Sequence, residues 1–175
     1  EEDVDVSLET RAAKANNNKA DLFLSIHANS SYRKEARGSE TYFLSAESTD
    51  EEARRLAYLE NNPAQPEKGI SGENEEEIKM ILWDLAQTAY LNQSSLLAES
   101  IQNKLNSLFG TKNRGIKQAP FKVLTGVACP AVLIEVAFIS NVFDERDLRK
   151  EDIQNKIAQT IFQGLEDYIA LSSQG

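Results

Sequence analysis

Cysteine and histidine are almost missing from this 175-residue chain, which has one of each, Cys129 and His27. A lone cysteine excludes an internal disulfide and any cysteine-rich metal site. A lone histidine means that a metal centre must draw on carboxylates or on ligands from elsewhere. Long apolar runs are also absent: the longest, residues 22–26 and 131–136, have strand length, far short of the roughly 18 residues that cross a bilayer. No transmembrane segment is expected. Positive charge is sparse and scattered, 19 Lys and Arg against 28 Asp and Glu for a net charge of −9, so a phosphate-tracking nucleic-acid surface is excluded. The chain opens Glu1, Glu2, Asp3, unlike a basic and then apolar export signal. Any such signal is expected upstream.

What is present suits one core, since this length is enough for one domain and short for two. The acidic excess is concentrated. Residues 47–79 hold ten acidic and four basic side chains. Ser7 is placed to cap a helix bearing Leu8, Ala12 and Ala15. Residues 20–26 read as an internal strand of a covered sheet, which puts His27, Ala28, Asn29 and Ser30 at its C-terminal end, where open α/β sheets place their chemistry. A second strand is expected over residues 40–44, then a short helix capped by Thr49 or Asp50 and bearing Ala53, Leu56 and Ala57. Residues 61–72 read as loop. One helix is predicted from Glu73, with Ile78, Ile81, Leu82 and Leu85 as its stripe, and another from Ser94 or Ser95, stopped by Gly110. Residues 113–119 read as polar loop, 121–124 as a short strand and 131–136 as a second buried strand. A helical turn follows Asn141. The terminal helix repeats Ile153, Ile157, Ile161, Leu165 and Ile169, a face expected against the sheet. The fold class is α/β.

Two residues stand out chemically. His27, held by a buried strand and followed by small side chains, is in the kind of supported position that a metal ligand needs. Glu135 sits inside an otherwise apolar strand, where a carboxylate needs a partner or a task. Either it pairs with a neighbour such as Arg114 or Arg11, or its pKa is raised so that it can take a proton from water and pass it to a leaving amine. Catalytic zinc usually has three protein ligands and one open position, so this pair alone is an incomplete site.

Five blocks in order, SLETRAAKAN (7–16), DLFLSIHAN (21–29), GSETYFL (38–44), NRGIKQAPFKVL (113–124) and PAVLIEVAFISN (130–141), resemble the zinc-dependent N-acetylmuramoyl-L-alanine amidases of bacterial cell walls. The resemblance implies a single domain with a central mixed, mostly parallel sheet flanked by helices. It implies a Zn2+ ligand role for His27 and catalytic acid/base work for Glu135. A second histidine and a ligand glutamate, with the family's first strand, first helix and most of its second strand, are expected before residue 1. The activity implied is hydrolysis of the amide between N-acetylmuramic acid and L-alanine of peptidoglycan, in the periplasm or elsewhere in the cell envelope. The 175 residues alone are expected to have little or none of it. Arg114 is a candidate for orienting substrate or for pairing with Glu135, while Asn29 and Asn141 are expected to tie down loops.

Residues 47–92 look like the helical insertion with which some periplasmic members cover the zinc until an activator protein displaces it. A carboxylate from it would then occupy the water position. Glu73, Glu75, Glu76 and Glu77 are the candidates, each equally readable as a solvated helix start. Two rival functions stay open: an inactive peptidoglycan-associated scaffold, and a different zinc peptidase.

Overall fold

The computed structural model describes residues 6–62, 75–108 and 114–173, with side chains from Tyr90 onward in the second segment. Helix α1 (Leu8–Asn17) starts as expected, the Ser7 side chain accepting from Thr10 N–H. Strand β1 is Phe23–Asn29 and β2 is Glu40–Leu44, followed by α2 (Glu51–Asn61) with Asp50 as its cap. A long helix α3 (Glu75–Leu108) leads to β3 (Ile116–Ala119), a single 3-10 turn (Lys122–Leu124), β4 (Ala131–Phe138), α4 (Val142–Leu148) and α5 (Glu151–Ser172).

The strands form one mixed sheet in the order β1-β4-β2-β3. β1 with β4 and β2 with β3 run parallel, and β2 with β4 antiparallel. The expected α/β fold with a mostly parallel sheet is therefore present. Each face carries its own core, and side-chain alternation decides membership. Ala131 and Leu133 of β4 join Tyr42, Leu44 and Phe23 under α1 and α2, packing with Ala53, Leu56 and Ala57. Val132 and Ile134 join Leu24 and Phe43 against α3 and α5, meeting Leu97, Ile101 and Ile161. The register slips once: His27 pairs with Glu135 but Asn29 with Phe138. That β-bulge leaves both Val136 and Ala137 on the α3 and α5 side.

Several expectations need correction. β1 includes His27 and Asn29 instead of ending before them, and it is an edge strand among the described residues, with Ile26 58% exposed. An apolar run signals burial by neighbours but not which side supplies them. Only one helix covers 75–108. It contains no glycine or proline, and Ser94 accepts a hydrogen bond from the Ala131 N–H at 3.0 Å instead of capping a new helix. Residues 116–119, read as loop, form β3 because Lys117 and Ala119 turn inward. Pro120, with no N–H to donate, ends that pairing, so Phe121 leads into the 3-10 turn and not a strand. Finally, α5 packs chiefly on α3 as well as toward the sheet. Its buried line turns through Gly164 and Tyr168, leaving Ile169 exposed. Gly110 and Glu73 lie outside the described residues.

Candidate metal centre and adjoining cleft

The face of the sheet under α2 carries the polar chemistry for one geometric reason. Ser25 and His27 of β1, Glu135 of β4 and Glu40 of β2 share the alternation phase of Phe23, Leu133 and Tyr42, so all point to the same side. His27 and Glu135 are direct register partners. Above them, the second half of α2 delivers Glu60. One ligand atom each from His27, Glu60 and Glu135 lies within 4.8 Å of the other two. Both imidazole nitrogens are held: Glu60 Oε2 is 3.0 Å from Nδ1, and Ser25 Oγ is 2.8 Å from Nε2.

Glu135 is fully buried, and neither of its oxygens has a hydrogen-bond partner among the described residues. Burial pushes its carboxyl well above the ordinary range, and the neighbouring charges of Glu60 and Glu40 add to the effect. Of the two alternatives for Glu135, the ion pair with Arg114 or Arg11 is not formed. Arg114 bonds Glu40 and Glu52, and Arg11 donates to the Val6 carbonyl. An orphaned buried carboxylate beside an imidazole and a second carboxylate is a nitrogen and oxygen donor set that fits a divalent metal ion.

Glu40 faces Glu135 across the antiparallel pair and is equally buried, yet its surroundings are opposite. It accepts from the Tyr42 hydroxyl and pairs with Arg114 and, at 3.1 Å, with Lys117. Glu40 is therefore a carboxylate held by cations and a hydroxyl, and Glu135 one without such partners among the described residues, two carboxylates set apart by environment. Desolvation, with the Glu40 charge, raises the Tyr42 phenol far above its usual value, so it stays a donor.

Beside this cluster a cleft of about 370 Å3 is lined by Asn29, Tyr32, Glu52, Arg55, Arg114 and Phe138, among others. Asn29 is thus in the cleft wall. Its backbone carbonyl also accepts from the Ile139 N–H at 2.8 Å. Asn141 lies apart from the cleft and ties loops, capping α4 and donating from Nδ2 to the Lys34 carbonyl. Glu73 and the side chains of Glu75, Glu76 and Glu77 fall outside the described residues. Sequence reading missed Glu60 and Glu40. Glu40 had a signal, because it shares the inward phase of Tyr42 and Leu44. Glu60 had none, since one more glutamate on a charged helix does not stand out.

The chain matches the family model described as N-acetylmuramoyl-L-alanine amidase over residues 1–167. It is similar to the N-acetylmuramoyl-L-alanine amidase AmiC of Escherichia coli O6:H1, 31% identical over 97% of this chain and 40% of that protein. It is also similar to the AmiC of Neisseria meningitidis serogroup B, 32% identical over 98% and 41%. Among solved structures it is similar to the catalytic domain of the amidase CwlV from Bacillus (Paenibacillus) polymyxa, at 27% identity and a TM-score of 0.66 over 97% of this chain and 69% of that one. An amidase from Clostridium difficile 630 gives 28% and 0.65 over 99% and 70%. The chain spans about two fifths of the length of these AmiC proteins. Because the family model covers nearly every residue and the same fold recurs in solved members, the chain belongs to the N-acetylmuramoyl-L-alanine amidase family.

Proposed function

We propose that the complete protein hydrolyses the amide between N-acetylmuramic acid and L-alanine in peptidoglycan, in the cell envelope, with Zn2+ held by His27 and by further ligands upstream of residue 1. The observation that carries this reading is the orphaned carboxyl of Glu135 opposite His27. Bound zinc supplies polarisation of the amide carbonyl and activation of water. Glu135, its pKa raised by burial, takes the proton from the attacking water and returns it to the departing alanine nitrogen. Ser25 holds the imidazole through Nε2 while Nδ1 faces the metal position.

In the arrangement described, Glu60 puts a carboxylate against Nδ1 of His27, and α2 covers the cleft. We read this as a closed state, with α2 part of an inserted segment over 47–92 and Glu60 its blocking carboxylate. A partner protein that takes up α2 would open the site. The test uses the full-length protein. Glu60→Gln should raise basal release of muropeptides from peptidoglycan, and Glu135→Gln should abolish it while zinc content stays unchanged. Loss of zinc and activity together on Glu60→Gln would make Glu60 a resident ligand and end the closed-state reading. Zinc-free but fully active protein would end the metal mechanism.

A further inference from the structure

A charge balance that the hydrolytic reading leaves unexplained surrounds the cleft, with Arg114, Glu40 and Glu52 in its wall and Arg33, Lys117 and Asp50 joined to them by ion pairs. Three cations, Arg33, Arg114 and Lys117, face three carboxylates, Glu40, Glu52 and Asp50. Only Glu40 belongs to the sheet. Glu52 lies in the first turn of α2 and Asp50 is its cap. Withdrawal of α2 would therefore leave Glu40 alone against three cations, with two positive charges uncompensated beside a partly buried cleft. Charges in such a place recruit a counter-ion.

The geometry shows what kind. Glu52 is gripped by both arginines at once, its Oε1 2.8 Å from Arg33 Nη1 and its Oε2 2.8 Å from Arg114 Nη2. Each arginine donates one charge-assisted hydrogen bond to a different oxygen of the same carboxylate. Arg114 is held in place from behind by Glu40 and by the Phe138 ring, 5.1 Å away, so it keeps its position when α2 leaves. Glu52 and Glu60 are eight residues apart on one helix, which separates them by roughly 12 Å along the axis. An extended peptide covers that distance in about three or four residues.

We propose that Arg33 and Arg114 form a carboxylate-binding subsite for an acidic peptide whose amide end lies at His27, and that Glu52 fills this subsite in the closed state as a built-in surrogate. This rests on the reading of α2 as a displaceable cover. The ligand class is a peptide with a free carboxylate about three or four residues from the bond at the metal position, which a peptidoglycan stem peptide provides. A subsite so placed would select for stem acidity and would make substrate and α2 compete for the same two arginines.

The experiment is calorimetric titration of the full-length protein carrying Glu60→Gln and Glu135→Gln, so that α2 is loosened and nothing is turned over. The probes are the muramoyl tripeptide with L-alanine, D-glutamate and diaminopimelate, with its carboxylates free or amidated, and sodium acetate as a simple anion. Adding Glu52→Gln should tighten the free-acid tripeptide about tenfold, the value of one charge-assisted contact, and leave the amidated form within about twofold. Further addition of Arg33→Gln, a change at a largely exposed side chain, should remove the gain; it avoids the folding risk of altering Arg114. Three results would overturn the subsite: no change on Glu52→Gln, equal tightening of both tripeptides, or displacement of the tripeptide by acetate at similar concentration. Because the readout is binding, failure of the unsubstituted protein to hydrolyse peptidoglycan would sink the catalytic reading without deciding this one.

Discussion

If α2 is a cover, its hinge-side anchor should control how often it lifts, and Asn61 is that anchor. Its side chain bridges two backbone groups across the domain, donating from Nδ2 to the Pro120 carbonyl at 2.8 Å and accepting from the Lys122 N–H at 2.7 Å. Neither contact involves the metal cluster or the arginine pair. Asn61→Ala removes both. At a net value of about 1 kcal/mol for each partly buried hydrogen bond, the docked state loses roughly 2 kcal/mol. At 1.4 kcal/mol per factor of ten, the undocked population rises about 30-fold. Native-state amide hydrogen exchange reads this directly. Amides in α2 should exchange about 30-fold faster, while those of α3 and α5, held in the opposite core, should keep their rates. Unchanged exchange in α2 would refute the anchoring role. Equal acceleration throughout the domain would show that α2 opens only with global unfolding, and the cover idea would fail with it.

Two further outcomes test the electrostatics and the packing. Because the folded-state pKa of Glu135 lies above its unfolded value, the metal-free protein binds that proton more tightly when folded. Its stability should fall as pH rises from the unfolded carboxylate range toward the raised value, and Glu135→Gln should flatten that slope in denaturant titrations across pH; a slope that survives the substitution would assign it elsewhere. At the α3 and α5 crossing, a Cβ on Gly164 would sit 2.6 Å from Ile101 Cα. Gly164→Ala should therefore lower Tm despite a gain in helix propensity of about 1 kcal/mol, since separating two backbones costs about 1–3 kcal/mol; a raised Tm would show that the helices part freely.

The parts of the fold legible in the sequence were those fixed locally. Ser7 and Asp50 announce helix starts because capping is a contact within four residues, and β4 announces itself because both its faces are covered. His27 and Glu135 were legible for a related reason: each breaks the pattern of its own strand. What escaped was set by contacts across the chain. Ser94 resembles a helix start until the sheet presents the Ala131 N–H to its hydroxyl. Residues 116–119 are too short and polar to read as a strand without β2 beside them. Pairing with Glu135 is one of two roles the sequence leaves open for Arg114, because sequence does not show that Glu40 and Glu52 reach it first. Glu60 matters only because α2 lies over β1, a fact of tertiary packing.

The slip in pairing between His27 and Asn29 decides which side of the sheet the end of β4 presents. Across it, Glu135 and Phe138 turn to the same side of the sheet although they are three positions apart, Glu135 beside His27 and Phe138 in the cleft wall. Unbroken two-residue alternation across residues 135–138 would swing the Phe138 ring to the opposite side of the sheet, taking away the surface on which Arg114 rests. Homologous chains with two residues between this glutamate and this phenylalanine should therefore keep the slip, whereas a chain with a single residue there needs none.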